Sequence, residues 1–392
     1  MSVPHSPARV RVNRKAAQRV ASGHPWIFAS DVTDPGGASP GAVVAVFDPQ
    51  NRPLGAAHYS STSQISLRLL DRSVIPIDAA FWRARLRAAA SHRAKVVQNT
   101  DCYRLVHAEG DLLPGLIIDR YGNDFVIQTL DQGMDKAKDE IVAAVAELFE
   151  PTAIIERNDA TVREREGLPL QKGVLFGEVT KRTSVRMNGL AFAADLLDGQ
   201  KTGVYLDQRE NYLAAARYTH GAALDCFTST GGFALHIASR AESVEAIDSS
   251  GLAIAAATAN AEANGIGNIR FKEANVFDFL SNARSGGRRF DTIVLDPPAF
   301  AKSRSALDGA VRGYKEINLR ALQLLGPGGI LVTCSCSHHM SEAMLAEAVA
   351  DAALDAGKNL RVLERRYQAQ DHPILLTVPE TLYLKCLIVE VL

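Results

Sequence analysis

Apolar residues along this chain change their spacing twice, and each change marks a different architecture. Through residues 8–72 they fall in short runs, such as Ala42–Phe47 and Gln64–Leu70. Turn-forming groups separate them: Asp34-Pro-Gly-Gly, Ser39-Pro-Gly and Asp48-Pro-Gln-Asn. Short strands at that spacing predict a small β-barrel. An Arg/Ala-rich helical stretch over 79–97 follows. Residues 103–185 then read as strand (Leu116–Asp119), turn, strand (Phe125–Leu130), helix (Lys136–Phe149) and two strands (Ala153–Arg157, Gly173–Thr180), an α+β order.

From about residue 186 short apolar runs alternate with helical stretches. The runs are Ala222–Cys226, Val244–Ile247, Ile269–Glu273, Thr292–Leu295 and Ile330–Thr333. Gly232–Arg240, Gly251–Asn264, Val311–Leu325 and Glu342–Ala356 carry helical periodicity. Strands spaced by helices predict a doubly wound, mostly parallel α/β sheet, and the tail supplies late strands as an antiparallel edge pair. The predicted division is therefore 1–72, 73–185 and 186–392, with the α/β sheet last.

Charge refines this picture. Residues 1–100 hold 13 Lys/Arg against 5 Asp/Glu, whereas the remainder holds 30 against 39. A basic front on an acidic body suggests that the front meets a polyanion, with Arg9, Arg11, Arg14, Lys15 and Arg19 as its first contacts. Five cysteines without paired CxxC units predict neither a zinc site nor a disulfide framework. No run of about 18 apolar residues occurs, so no membrane span and a cytoplasmic location are expected.

In an open parallel sheet, ligands bind beyond the carboxyl ends of the strands where strand order reverses. The first strand ends Asp225-Cys226-Phe227-Thr228-Ser229-Thr230-Gly231-Gly232, and an acid, Asp248, ends the second, followed by Ser249. The glycines let the backbone turn tightly toward a ligand, and Asp248 can accept from ribose hydroxyls. The loop is not GxGxxG, which disfavours a nicotinamide dinucleotide and favours S-adenosylmethionine. After the third strand, Asn275 and Val276 flank the adenine position, with Asp278 a competing acceptor.

The fourth strand ends Asp296-Pro297-Pro298-Ala299-Phe300. Two prolines stiffen the loop and present Asp296 and the Pro297 carbonyl to the amino group of an extruded base, on which Phe300 can stack. The fifth strand ends Thr333-Cys334-Ser335-Cys336, with Cys336 nearer the crevice and Cys334 packed. A thiol there suits chemistry at carbon 5 of a pyrimidine: that carbon attacks a sulfonium methyl only after a thiolate has added to carbon 6.

These residues resemble the large-subunit ribosomal RNA methyltransferase I family, which forms 5-methylcytosine in 23S rRNA, over nearly the whole chain. Gly23-His24-Pro25-Trp26-Ile27-Phe28 resembles its N-terminal RNA-binding domain of the pseudouridine synthase and archaeosine transglycosylase (PUA) type. The resemblance thus places His24 and Trp26 among the RNA contacts. Asp198-Gly199-Gln200-Lys201-Thr202-Gly203-Val204-Tyr205-Leu206-Asp207-Gln208-Arg209 resembles the segment lining that family's cofactor pocket. It implies cofactor contacts from Lys201, Thr202, Tyr205, Asp207, Gln208 and Arg209.

Cys336, seven residues after Gly329, takes the offset of the nucleophile. Two departures stand out. Ala299 occupies the slot where broader relatives often carry a second cysteine, and Asn275 stands where the family often has an acid. The resemblance implies S-adenosylmethionine as cofactor, 23S ribosomal RNA or a large-subunit precursor as substrate, and allows a homodimer. Methylation of an exocyclic base amine, or an RNA-binding assembly factor with an inactive methyltransferase domain, are the alternatives.

Overall fold

The computed structural model describes residues 7–179, 183–199, 204–300 and 306–392. The chain divides into two compact units. One comprises Met1–Val185, Ala194–Gly203 and Gln370–Thr381; the other comprises Arg186–Ala193, Val204–Ala369 and Leu382–Leu392.

The first unit opens with β1 (Ala8–Val12), α1 (Arg14–Ala21), β2 (Trp26–Phe28), β3 (Val32–Asp34), β4 (Val43–Phe47), β5 (Pro53–Tyr59) and β6 (Ile65–Asp71). The strands form one sheet in the order β2-β6-β5-β4-β1-β3, with β1 and β4 parallel. Val10, Val12, Ile27, Val44, Val46 and Leu67 are its buried core. Helix α1 is an element the strand pattern did not foresee. It starts because the Asn13 side chain accepts the Ala16 N–H at 2.9 Å, satisfying one donor of the first turn.

Next come α2 (Ala79–Val96), β7 (Cys102–His107), β8 (Leu116–Tyr121), β9 (Asp124–Thr129), α3 (Gln132–Lys136), α4 (Lys138–Phe149), β10 (Ala153–Asn158) and β11 (Gln171–Gly177). This is the expected α+β module, a five-stranded sheet ordered β11-β10-β9-β8-β7. Trp82, Leu86, Phe125, Ile127, Ile141 and Ile154 close its core. The division between the units passes through a hairpin of β12 (Thr183–Met187) and β13 (Leu190–Ala194). Its turn is Asn188-Gly189, with φ of 52° and 86°, the positive pair that a tight hairpin turn requires.

The second unit contains α5 (Arg209–Tyr218), β14 (Ala222–Cys226), α6 (Gly232–Ile237), β15 (Ser243–Asp248), α7 (Gly251–Ala263), β16 (Ile269–Glu273), α8 (Val276–Ser285), β17 (Phe290–Leu295), α9 (Leu307–Leu322), β18 (Leu325–Ser335), α10 (Glu342–Asp355), β19 (Leu360–Tyr367) and β20 (Lys385–Val391). Its sheet runs β16-β15-β14-β17-β18-β20-β19. The chain winds outward from β14 to β16, then returns to β17 on the other side of β14, so strand order reverses there. Strand β20 is antiparallel to both β18 and β19.

The central strands read as unbroken apolar runs because helices cover both faces. Ile293, Val294, Leu295, Leu331 and Val332 are all fully buried, each contributing about 1.5–3 kcal/mol. Ser250, Asn275 and Ser341 start α7, α8 and α10 by accepting a backbone N–H with their side chains. Among the described residues no helix is long and apolar enough to cross a membrane, and no group of three or more His, Cys, Asp or Glu could hold a metal.

Candidate active site

The site of the second unit lies at the carboxyl ends of β14, β15, β17 and β18, where strand order reverses. The loop after β14 is built around Asp225. Its Oδ2 accepts from Thr228 Oγ1 at 2.7 Å and from the Ala234 N–H at 3.0 Å, tying the loop to the start of α6. Phe227 and Ser229 take φ of 66° and 49°, a region that non-glycine residues rarely adopt. The Ser229 N–H then donates to Asp248 Oδ2 at 3.0 Å, and Ser250 N–H donates to Asp248 Oδ1 at 2.9 Å. Asp248 thus holds the loop in place and keeps a lone pair on each oxygen.

Close packing enforces the glycines. A Cβ on Gly232 would come within 2.4 Å of the Tyr212 ring, and one on Gly231 within 2.4 Å of Leu235 Cδ1. Ser249 is exposed beside Asp248, Val276 is buried, and Asn275 is exposed with its Oδ1 accepting the Asp278 N–H at 3.2 Å. The expected adenine acceptor is therefore also a helix cap. Asp278 is the third residue of α8.

Asp225 is fully buried, and its Oδ1 finds no hydrogen-bond partner among the described residues. Burial pushes its carboxyl up to about 7; the Thr228 hydrogen bond opposes the shift and the Asp296 charge adds to it. Burial, followed by the charges of Asp296 and Asp207, likewise raises the Tyr212 phenol well above its usual value. Carboxylates therefore converge on this crevice. A cofactor with an ammonium and a sulfonium fits that charge, and the orphaned Asp225 oxygen fits a donor. Asp225, Asp248 and the loop from Phe227 to Gly232 would hold it.

Asp296 follows β17 and is positioned from α5. Its Oδ1 accepts from Gln208 Nε2 at 3.0 Å, Gln208 Oε1 accepts from Asn211 Nδ2 at 2.7 Å, and Asn211 Oδ1 accepts from Arg366 Nε at 2.9 Å. Gln208 and Asn211 are buried. Asp207 accepts from the Tyr383 hydroxyl at 2.8 Å. Tyr205 is half-buried, its carbonyl facing the Tyr212 hydroxyl at 3.3 Å, and Arg209 is buried as the first residue of α5. Lys201 and Thr202 lie outside the described residues. Pro297 is buried, and the Phe300 ring leans on Tyr314 at 4.7 Å, which commits that face to packing.

Cys336 stands just past the end of β18 and is partly exposed, whereas Cys334 is fully buried, in register with Cys386 of β20. Tyr314 Oη accepts from Ser335 Oγ at 2.9 Å and lies 3.2 Å from Ser337 Oγ, bracing the chain on both sides of Cys336. Sequence reasoning gave no role to Lys385, the first residue of β20. Its ammonium donates to the Ser337 carbonyl at 2.7 Å and to the Tyr383 carbonyl at 2.8 Å. Burial lowers it to about 8, and electrostatic interaction with Cys336 opposes that fall. A lysine heading the apolar run Cys386–Val389 was the available signal.

Comparison with known proteins agrees with this geometry. Residues 170–387 match the family described as S-adenosylmethionine-dependent methyltransferase, and residues 10–72 match a PUA-like domain. Ribosomal RNA large subunit methyltransferase I of Shewanella denitrificans is 41% identical over 394 residues, covering 98% of this chain and 99% of that protein. The chain belongs to that family. A family member of the same name from Klebsiella pneumoniae is 41% identical, covering 92% of this chain and 93% of its own. The family fold recurs in a candidate SAM-dependent methyltransferase from Streptococcus mutans, 21% identical, covering 97% of this chain and 99% of that one, with a TM-score of 0.82. A similar structure, with a TM-score of 0.84 at 21% identity, was solved complexed with SAH; it covers 97% of this chain and 99% of that one. The methyltransferase domain is thus S-adenosylmethionine-dependent.

Proposed function

We propose that this protein methylates carbon 5 of a cytosine in 23S ribosomal RNA, with Cys336 as covalent nucleophile. Family relatives named for the large ribosomal subunit support the RNA class. The observation that carries the chemistry is the partly exposed Cys336 at the end of β18, beside the buried cation of Lys385.

When bound, S-adenosylmethionine supplies the methyl group as an electrophile. The Cys336 thiolate adds to carbon 6 of the ring, and the electrons of the 5,6 double bond move toward the N3 edge, where a proton is taken up. Asp296, held by Gln208, accepts from the exocyclic amine and fixes the ring. Carbon 5, now enamine-like, takes the methyl group. Loss of the carbon 5 proton to a base, departure of sulfur with its electron pair and release of the N3 proton restore the double bond, the neutral base and the thiolate. Lys385 favours the thiolate throughout.

For the front unit we propose an RNA contact through Arg11, Arg14 and Lys15, all exposed. Arg9 is also exposed, bonded to Asn51, while Arg19 is paired with Asp31 at 2.8 Å. His24 and Trp26 bond Glu380 and Glu109 instead, so they shape the unit from within. No observation among the described residues supports a homodimer.

The test is trapping. RNA carrying 5-fluorocytosine at the target should form a stable adduct with the wild-type enzyme and none with Cys336→Ser. Methyl transfer that continues without any adduct would instead assign the enzyme to exocyclic amines.

A further inference from the structure

The first unit contains a cavity of about 340 Å³ beside Glu109, within the usual size of a small-molecule site. Val20, Pro25, Leu69, Leu112, Pro114 and Leu375 give it apolar walls, and Arg72 adds an exposed cation. The Gly23-His24-Pro25-Trp26 segment supplies both lining and support. Gly23 has φ of +100°, and a Cβ there would come within 2.8 Å of Thr377 Cγ2. From the same segment, Trp26 Nε1 donates to Glu109 Oε1 at 2.8 Å. Burial raises the Glu109 carboxyl above its usual range, the Trp26 hydrogen bond opposing it.

The backbone around Glu109 is strained. Among the described residues, the non-glycine residues with positive φ include three asparagines and Glu150, which caps α4. Leu112 (φ 58°) likewise caps the short 3-10 turn Ala108–Asp111; the remaining three are Phe227 and Ser229 in the cofactor loop and Ala108 (φ 40°), next to Glu109. Strain of this kind persists where surrounding structure holds a ligand site in shape.

We propose that this cavity receives one unstacked nucleobase of the bound RNA. Glu109 accepts from an amino group on the base edge, and Arg72 meets the adjoining phosphate. Glu109 Oε1 is held by Trp26, which leaves the second carboxylate oxygen to accept from a base amino group, and the base faces need apolar cover. The strongly basic front of the chain brings a polyanion to this unit. The assignment rests on the RNA-binding reading of the front, but not on the chemistry of Cys336. Because the recognition is of an amino group, cytosine, adenine and guanine should enter and uracil should not.

The chain has two tryptophans, Trp26 and Trp82, and Trp82 donates to Glu140 in the core of the second sheet. Titrating the full-length protein with GMP, AMP, CMP and UMP, while recording indole ¹⁵N–¹H spectra, reads the cavity directly. The Trp26 signal should move at millimolar nucleotide with the first three and at least about fivefold more weakly with UMP. The Trp82 signal should stay fixed. Glu109→Gln should erase the response while the Trp82 signal and the melting temperature confirm folding. Arg72→Ala should weaken RNA binding several-fold and leave the response to guanosine intact. A Trp26 signal indifferent to every nucleotide, an equal response to UMP, or an unchanged response in Glu109→Gln would overturn the proposal. S-Adenosylmethionine binding and adduct formation by Cys336 are separate readouts, so a failure here leaves that chemistry standing.

Discussion

The ammonium of Lys385 donates to the carbonyl oxygen of Ser337 at 2.7 Å, which fixes a positive charge one residue beyond Cys336. A neighbouring cation lowers a thiol's pKa by favouring the thiolate. Lys385→Met is therefore expected to raise the pH midpoint of Cys336 alkylation by about one unit or more, with Lys385→Arg in between. Iodoacetamide rates against pH measure this cleanly, because the other four cysteines are buried. Lys385 itself titrates at about 8, so its help is complete below that pH and fades above it. An unmoved midpoint would leave Lys385 a purely structural residue.

The two cysteines of the fifth-strand end should separate by experiment. Cys336→Ala should remove methyl transfer and leave the melting temperature near that of the wild type. Cys334→Ala, at a fully buried position, should cost about 1 kcal/mol of stability and retain activity. Denaturant titration and single-turnover assays on both variants test the pair. The reverse pattern would move the nucleophile to Cys334.

Cofactor affinity should depend on pH through Asp225. Its carboxyl is raised to about 7, so the free protein carries a proton there at lower pH. A cationic ligand prefers the ionised form, so binding should tighten as pH rises from about 6 to 8 and then level off. Asp225→Asn should flatten the profile and weaken binding at pH 8 by about tenfold or more. Calorimetric titration with S-adenosylmethionine gives both quantities. A flat wild-type profile would exclude Asp225 as the titrating group.

Gln208 touches Asp296 at 3.0 Å and is itself held by Asn211, so it acts as a positioning residue. Gln208→Leu should lower kcat by about tenfold, the worth of one hydrogen bond, with a smaller change in cofactor affinity. Equal losses in both would point to general disruption of the loop.

Salt dependence tests the front unit. Replacing Arg11, Arg14 and Lys15 together by Ala should reduce the slope of log K against log salt by about two to three. RNA affinity that keeps its wild-type slope would place the phosphate contacts elsewhere.

The parallel sheet was legible because burial on both faces forces apolar runs, and β14, β15, β16 and β17 begin or end within a few residues of those runs. Asp225, Asp248 and Asp296 were legible for a related reason: each sits at the end of such a run. Helices α1 and α5 were not foreseen. Each is short and half polar, and α5 is preceded by the Gln208 that reaches Asp296. Pairing was also beyond a local reading. The late strands do form an antiparallel pair at the sheet edge, but a local reading could not order the two: β20 is the inner one, between β18 and β19, and only that register brings Lys385 opposite Ser335. Phe300 shows the same limit, since its contact with Tyr314 depends on α9 folding back over the loop.

The interior place of β20 sets the order of assembly. Residues 385–391 emerge from synthesis after β18 and β19, yet both strands need them to complete their hydrogen-bond ladders. Until they arrive, a nascent chain exposes two open strand edges, a state prone to pairing with neighbouring chains. A stop codon just before Lys385 should therefore yield aggregates rather than a weakened enzyme, even though the cofactor loop would be intact.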